Sequence, residues 1–298
     1  MSNVKPVIVA VGELLWDLLP GGKQLGGAPS NFVYMAAQLG NQGYLASRVG
    51  ADALGQEALQ QLQQAAMELT YIQSDPQHPT GTVAVELDKD GQPRYTINEA
   101  VAWDFFEWTP QWQSLAEQAE AVCFGTLAQR ATTSQQTIRR FVQSTRPDAV
   151  RLLDVNLREP FYGAQLIAES LELANVVKLN DGELVLISQM FGFDYGSQTA
   201  NLRHLLEKYK LRLICLTRGA QGSLLVNADE SVFQPSSPVT VVDTIGAGDS
   251  FTAALLHHYL RGSGLHQMGA AANRLGAWVA SQAGGMPRLD PATLAQIV

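Results

Sequence analysis

Residues Val241 to Leu256 read VVDTIGAGDSFTAALL, and this stretch carries the strongest chemical signal in the chain. Two glycines, Gly246 and Gly248, let the backbone turn sharply and come close to a ligand. The apolar run from Phe251 to Leu256 predicts a buried helix directly after them. Unpaired amide groups at the start of a helix favour an anion, so the turn predicts a phosphate site.

Asp249 lies inside this predicted anion site, where a bound phosphate would repel a carboxylate. An acid in that place is better suited to take a proton from a hydroxyl group that attacks the phosphate. The pattern therefore predicts phosphoryl transfer to an alcohol, with Asp249 as the base. In isolation the same residues would also suit an ordinary glycine turn capped by aspartate, so the interpretation depends on other motifs in the chain.

The composition bounds the class of protein. The chain has 298 residues, of which 46% are hydrophobic, enough to bury the core of one large domain. Its net charge of −8 argues against a nucleic-acid surface. Cys123 and Cys215 lie in apolar runs, as is typical of small core residues in a reducing compartment. With no signal-peptide pattern and no membrane-length apolar stretch, we expect a soluble, cytoplasmic protein without nucleic-acid or membrane partners.

Short apolar runs alternate with helical patterns over most of the chain. The runs predict buried strands over Val7–Val11, Ala121–Phe124, Arg151–Val155, Val176–Leu179 and Leu213–Leu216. Helical patterns follow over Thr133–Ser144, Tyr162–Leu173 and Ala200–Tyr209. This alternation predicts an α/β fold, a doubly wound and mostly parallel sheet flanked by helices. Ligands bind beyond the carboxyl ends of such strands, where we expect Asp17, Gly125, Asn156, Asn180, Thr217 and the Gly246 turn.

One stretch interrupts this alternation. Gly81–Leu87 and Arg94–Asn98 each alternate in polarity around a turn signal at Lys89–Gln92, which predicts a β-hairpin. Because a hairpin alone is marginally stable in water, we expect it to join strands around Gly12–Leu25, reversed at Leu19–Gly22. The prediction is a single domain over residues 1–298, with a small β-sheet lid inserted from about 12–30 and 80–108. Its edge strands offer an interface for a homodimer.

Glycines also precede a second apolar helix, predicted from Phe32 to Leu39. Here GGAPSNFVYMAAQLG, residues 26–40, resembles the first signature of the PfkB, or ribokinase-like, carbohydrate kinase family. DTIGAGDSFTAALL, residues 243–256, resembles the second signature at every constrained position, and the similarity covers essentially the whole chain. The resemblance implies a doubly wound α/β domain with a β-sheet lid. It also implies transfer of the γ-phosphate of ATP to a hydroxymethyl group of a sugar or nucleoside.

The resemblance assigns roles to individual positions. Asp249 becomes the catalytic base, and the amides of Gly246, Ala247 and Gly248 become the anion hole. NDGE at residues 180–183 resembles the family's N-x-x-E motif, which implies that Glu183 handles Mg²⁺ through water. Contacts to ATP are implied for Asn180, Thr217, Gly219, Gly222, Gly246, Gly248 and Asn273. A monovalent cation behind the anion hole, found in some relatives, is left open.

Two further segments bear on which sugar is the substrate. Gly12-Glu13 followed by Asp17, and DVNLR at residues 154–158, resemble fructokinases and 2-keto-3-deoxygluconate kinases. Arg158 is then expected to neutralise the transferring phosphoryl group. Glu13 would equally suit a surface acid on a strand, and Trp103 either lines the sugar pocket or holds the lid. The set implied to bind sugar is Asp17, Gly26, Gly27, Asn31, Trp103, Asn156 and Asp249.

The GGAP form of the first signature favours fructokinase as the activity. 2-Keto-3-deoxygluconate kinase, ribokinase and nucleoside kinase are the alternatives within the family. A non-catalytic binder of sugar or nucleotide on the same fold is an alternative of a different class, disfavoured by Asp249 and the intact turn. A dehydrogenase would carry G-x-G-x-x-G after an early strand, and a Walker-type enzyme would carry GxxxxGK[ST]; the sequence has neither.

Overall fold

The computed structural model describes residues 5–19, 21–87 and 93–298. The strands are β1 Val7–Val11, β2 Leu15–Leu19, β3 Gly22–Gly26, β4 Gln42–Gly50, β5 Ile72–Asp75, β6 Gly81–Leu87, β7 Pro93–Ile97, β8 Ala121–Phe124, β9 Val150–Asp154, β10 Val176–Asn180, β11 Leu213–Thr217, β12 Ser223–Val226 and β13 Ser231–Gln234. The helices are α1 Ala28–Gln38, α2 Ala53–Gln64, α3 Pro110–Gln118, α4 Thr132–Gln143, α5 Ala164–Leu173, α6 Asp181–Phe191, α7 Gln198–Lys208, α8 Ala247–Tyr259, α9 Leu265–Ala280 and α10 Pro291–Ile297. None of these described helices is long and apolar enough to cross a membrane.

Nine strands form the central sheet in the order β13-β12-β11-β10-β9-β8-β1-β4-β5. The pairs from β11 to β5 are parallel, whereas β12 pairs antiparallel with both β11 and β13. The predicted α/β class and mostly parallel sheet are therefore confirmed. The five strands and three helices predicted for this sheet begin and end within two residues of their predicted bounds.

Both faces of the sheet are covered by helices. Along β1, Ile8 and Ala10 pack on one side with α1, α2, α8, α9 and α10. Val9 and Val11 pack on the opposite side with α3 to α7. Successive side chains of a strand point to opposite faces, so a continuous apolar run serves both layers. The strand ends remain free for polar residues at one edge of the sheet.

A second, four-stranded sheet has the order β3-β2-β6-β7. β6 and β7 pair antiparallel, as predicted for the hairpin, and β2 lies parallel to β6. The predicted turn at Lys89–Gln92 and Pro20 of the other predicted turn lie outside the described residues. Asp52 ties the start of the hairpin to α2, since its carboxylate accepts from the Thr80 amide at 2.8 Å and the Thr80 hydroxyl at 2.7 Å. This small sheet is thereby fixed beside the strand ends of the central sheet.

The approach to the Gly246 turn differs from the prediction. The last strand of the described chain before it, β13, ends at Gln234, and residues 235–243 form no strand. Val241 and Val242 are 59% and 63% exposed. The amides of Val242 and Asp243 both donate to the Ala280 carbonyl at the end of α9, so this segment follows a helix rather than a neighbouring strand. Asp17 also departs from its expected place, because it lies within β2 of the small sheet.

Candidate active site

The carboxyl ends of the parallel strands open into a cleft of about 1420 Å³. The small sheet contributes Leu15, Val83 and Ile97 to its lining, and the start of α8 contributes Gly246 to Asp249. Pockets for one drug-sized ligand span about 300–1,000 Å³. The cleft is therefore large enough for two ligands placed end to end across the start of α8.

The turn before α8 has no room for a side chain at Gly246. Gly246 has φ of 74°, and a Cβ there would lie 2.6 Å from the Cα of Gly285. The Ala247 amide donates to the Thr244 carbonyl at 3.3 Å, whereas the Gly248 amide meets no protein acceptor in the part of the chain that the structure describes. An amide of this kind at a helix N-terminus attracts an anion.

Asp249 lies in the first turn of α8 and is held by a residue from α1. The Asn31 side-chain amide donates to Oδ2 of Asp249 at 2.8 Å. Burial raises the pKa of Asp249 to about 6, the negative charge of Asp154 adds to the rise, and the Asn31 hydrogen bond opposes it. A carboxylate with this pKa is ionised at neutral pH and binds a proton more readily than an exposed one.

A buried ion pair lies next to the anion site. Lys178, on β10, places Nζ 3.0 Å from Oδ1 of Asp154, on β9, and the Thr252 hydroxyl donates to Oδ2 of the same carboxylate at 2.9 Å. A Cβ at Gly248 would lie 3.4 Å from Nζ of Lys178. Burial alone would lower the pKa of Lys178, but the charges of Asp154 and Glu183 outweigh it and raise the pKa. The ammonium group therefore stays charged beside the start of α8.

Acidic side chains and one arginine line the end of the cleft beside the small sheet. Burial raises the pKa of Glu13 to about 7, with a further rise from Asp249 and an opposing effect from Arg158. Burial also raises the pKa of Asp17 to about 6, again opposed by Arg158. Asn156 lines the same end with a φ of 40°, in the left-handed region. Carboxylate, amide and guanidinium groups together suit a ligand with several hydroxyl groups.

The glycines of the first signature make room for these acids. A Cβ at Gly26 would lie 2.4 Å from Oδ2 of Asp17, and one at Gly27 would lie 2.5 Å from the Glu13 carbonyl oxygen. Gly27 also has a φ of 107° and lines the cleft, while Gly26 does not line it. The two glycines thus allow β2, β3 and α1 to come together around the acidic end.

Trp103 is not placed in the cleft. Its side chain is fully buried, and the Arg130 guanidinium lies 3.9 Å from its ring centroid. Its Nε1 would be 2.2 Å from a Cβ at Gly81, the first residue of β6. This packing corrects the expectation of a sugar contact and matches the alternative, in which Trp103 supports the base of the hairpin.

The opposite end of the cleft is lined by the residues predicted for nucleotide contact. Thr217 ends β11 there, and Gly219 and Gly222 follow it with φ of 52° and 112°. Asn273, on α9, lines the same end, but its amide donates to the carbonyls of Gln234 at 2.8 Å and Pro235 at 3.3 Å. The Asn273 side chain therefore holds the segment at Gln234 and Pro235 against α9.

The predicted metal-handling residues are arranged around the start of α6. Glu183 accepts from the Asn180 amide at 2.7 Å and from the Leu157 amide at 2.9 Å, so each carboxylate oxygen already has a partner. Burial raises the pKa of Glu183, and the charge of Lys178 opposes the rise. Asn180 and Asp181 line the cleft, whereas Glu183 does not. Among the described residues no group of three or more histidine, cysteine or acidic side chains could hold a metal ion.

A family model described as pfkB family carbohydrate kinase matches residues 20–291. The chain belongs to the pfkB family of carbohydrate kinases. A fructokinase of Salmonella typhimurium is 34% identical over 83% of this chain and 82% of its own length. An uncharacterized sugar kinase of Pyrococcus horikoshii is 27% identical, with a TM-score of 0.80 over 94% of this chain and 93% of its own. The fructokinase of Xylella fastidiosa with bound ATP, 19% identical, has the same fold with a TM-score of 0.88 over 99% of this chain and 98% of its own.

Membership of the pfkB family confirms the predicted family, and with it the prediction of a phosphotransferase that acts on a sugar. Two charged residues at the centre of this carbohydrate kinase were not among the predicted site residues. Lys178 is a lone cation within the apolar run VVKLN, and that isolation was the available signal. The sequence also suits Glu13 as a surface acid, yet its side chain is only 5% exposed. Gly285 packs directly against Gly246, and the double glycine Gly284-Gly285 is the sequence feature that could have indicated this close contact.

Proposed function

We propose that this chain is a fructokinase, which transfers the γ-phosphate of ATP to a hydroxymethyl group of fructose. The observation that carries the proposal is the place of Asp249, a buried carboxylate between the amides at the start of α8 and the polar end of the cleft. A base there can reach a sugar hydroxyl and the phosphate it attacks from the same turn of helix. Proximity of this kind removes much of the entropic cost of the reaction.

Asp249 would remove the proton as the hydroxyl oxygen forms its bond to phosphorus. With a pKa of about 6 the carboxylate is ionised at neutral pH. Asn31 holds Oδ2, so Oδ1 is left to face the sugar. A general base positioned in this way contributes about 10²–10⁴-fold to the rate.

The phosphoryl group would be stabilised by groups that the fold positions before the substrate binds. The amides of Gly246, Ala247 and Gly248 would form the anion hole, and each such donor is worth roughly 10²–10³-fold. Lys178 adds a fixed positive charge beside Gly248, and Arg158 adds another from the sugar end. The nucleotide would extend over Thr217, Gly219 and Gly222 towards α9. ATP is the nucleotide named with the Xylella fastidiosa fructokinase.

The charges at the sugar end favour a neutral sugar. The lining includes the carboxyl groups of Glu13, Asp17, Glu159 and Asp249 and the guanidinium of Arg158, while the Lys178 ammonium is already paired with Asp154. A sugar acid such as 2-keto-3-deoxygluconate would bring a further negative charge into this set, which is unfavourable at low dielectric. The fructokinase activity of the Salmonella typhimurium relative agrees with a neutral ketose.

Phosphate oxygens of the nucleotide would supply some of the ligands of Mg²⁺. Asn180 and Asp181 place amide and carboxylate oxygens in the cleft, and Glu183 would act through water behind them. These donors fit Mg²⁺, which keeps several waters. When bound, the ion would neutralise part of the phosphate charge. A monovalent cation behind the anion hole stays a prediction.

The four-stranded sheet would act as a lid over the sugar. Its residues Leu15, Val83 and Ile97 face the cleft with apolar side chains, which exclude water when they cover a ligand. Formation of a homodimer through this sheet and a cytoplasmic location stay predictions.

A coupled assay of ADP release tests the proposal. Fructose, 2-keto-3-deoxygluconate, ribose, tagatose and adenosine would be compared at equal concentrations with ATP and Mg²⁺. Fructose is expected to give the highest kcat/KM. A preference for the sugar acid or for adenosine would overturn the choice of fructose, and the absence of ADP release with every acceptor would indicate a binding protein.

A further inference from the structure

A small recess lies beside Asp249, and Glu13 and Asn156 also line it. It has room for about 20 Å³, which is enough for one ordered water molecule. Polar side chains of four elements reach it, so a water there would find several hydrogen-bond partners. The lining includes Glu13, Asp154, Asn156, Thr126, Cys123 and Asp249.

Two of these lining residues, Glu13 and Asp249, also line the main cleft. They come from distant parts of the sequence, the loop after β1 and the first turn of α8. Glu13 is 5% exposed, and no part of the proposed reaction yet uses its carboxyl group. A buried acid is costly unless it is paired or functional, so its place beside the base calls for a role.

We propose that Glu13 is a proton acceptor beside Asp249, reached through one water molecule in the recess. This inference rests on the proposed function, because it follows the proton that phosphoryl transfer releases. Glu13 would return Asp249 to its ionised state before the sugar phosphate leaves.

The sugar hydroxyl oxygen forms the new bond to the γ-phosphorus, and the bond from that phosphorus to the bridging oxygen of ADP breaks with its electron pair on ADP. The hydroxyl proton moves to the carboxylate of Asp249. Asp249 then gives a proton to the water, and the water gives one of its own to the carboxylate of Glu13. Glu13 loses the proton to solvent when the cleft opens.

Both carboxyl groups can hold a proton near neutral pH, because burial raises the pKa of Glu13 to about 7 and that of Asp249 to about 6. The groups that face the pair from the packed elements are Asp154 on β9 with its partner Lys178 on β10, Cys123 on β8, and Arg158 after β9. Burial raises the pKa of the Cys123 thiol, so this group stays neutral.

The test is the pH dependence of kcat in Glu13→Gln, measured by ADP release with saturating ATP and fructose between pH 5 and pH 9. The kcat of the native chain is expected to fall as the pH drops through about 7, and that of the variant as it drops through about 6. At pH 8 the kcat of the variant is expected to be at least threefold lower than that of the native chain. The KM for fructose is expected to stay within about threefold. Glu172→Gln, which neutralises an exposed acid on α5, is the matched control and should keep the native profile.

Three outcomes would overturn the proposal. None of them bears on the proposed function, which the turnover of fructose by the native chain tests separately. An unchanged profile would show that Glu13 takes no proton. A raised KM with the native profile would make Glu13 a sugar-binding residue. Should Glu13→Gln fail to fold, carboxyl NMR of the native protein with ¹³C-labelled glutamate decides instead. One glutamate is expected to titrate near pH 7 and to shift in Asp249→Asn, and its absence or insensitivity would overturn the relay.

Discussion

The side-chain amide of Asn31 donates a 2.8 Å hydrogen bond to Oδ2 of Asp249. The contact joins the first turn of α1 to the first turn of α8 and so brings the two sequence signatures into one site. Asn31 is 3% exposed, and its Oδ1 has no partner among the described residues. Behind that oxygen a Cβ at Gly285 would lie only 2.7 Å away, so the asparagine has little freedom to turn. It fixes one oxygen of the base and leaves the other for the substrate.

Replacement of Asn31 by alanine is expected to move the acid limb of kcat to higher pH. The folded-state pKa of Asp249 is raised to about 6, and the hydrogen bond from Asn31 opposes that rise by stabilising the ionised form. Without it the pKa rises further, and activity is lost earlier as the pH falls. The profile would be measured with saturating fructose and ATP in the Glu13→Gln background, where the acid limb reports on Asp249. The control is Asn227→Ala, at the turn between β12 and β13 and outside the lining of the cleft. A limb that stays in place in Asn31→Ala would show that Asn31 does not act on the base.

Gly246→Ala is expected to lower kcat by about 10²-fold or more, as for the loss of an anion-hole donor. The new Cβ would lie 2.6 Å from the Gly285 backbone, so the turn must shift. Gly262 is the matched control, because its φ of 71° resembles the 74° of Gly246 and a Cβ there meets nothing within 4 Å. Both variants should lose about 1 kcal/mol of stability from the positive φ. Equal activity in the two variants would refute a special role for the turn.

Much of this site followed from local pattern. The glycines and the acid at 246–249 are adjacent in sequence, and the strands β1, β8, β9, β10 and β11 are apolar runs between helices, so both could be predicted. The support for the site could not, because it depends on long-range contacts. The packing of Gly285 against Gly246 and Asn31, and the burial of Glu13, join segments that are far apart in the chain.

The wrong expectations share a physical cause. Val239 to Val242 have the β-branched composition of a strand, but they pair with no strand of the part of the chain that the structure describes. The amide of Val242 donates to a helix carbonyl instead. Trp103, implied as a sugar contact or as a support of the lid by the family resemblance, takes the second role because its side chain is fully buried. Residue type limits the structures and contacts that a residue can form. Contacts with distant parts of the chain decide which of them it forms.

Lys178→Met is expected to lower both stability and activity. It leaves the buried carboxylate of Asp154 without its ionic partner, which typically costs about 3–5 kcal/mol. The double variant Lys178→Met/Asp154→Asn removes both charges and should recover most of the free energy of unfolding, measured in urea. Its kcat should remain low, because the ammonium beside Gly248 is still missing. Recovery of native kcat in the double variant would assign the pair a purely structural role.

Glu13→Gln is expected to stabilise the fold at alkaline pH. A pKa raised from 4.5 to about 7 means that the folded state holds this proton more tightly than the unfolded chain does. Stability is therefore lost as the pH rises from about 4.5 through about 7, by roughly 3 kcal/mol for a shift of this size. Glutamine removes that loss, so the gain in Tm over the native chain should be larger at pH 8 than at pH 4.5. A gain that is equal at both values would contradict the raised pKa.

The most direct test of the account is the kcat of Asp249→Asn with fructose, together with its affinity for nucleotide. Asparagine keeps the size and polarity of the side chain but cannot accept the proton, so kcat should fall by about two to four decades while the nucleotide Kd stays near its native value. Thermal unfolding of the variant would verify that the fold is retained. Turnover close to the native rate would contradict the assignment of Asp249 as the base.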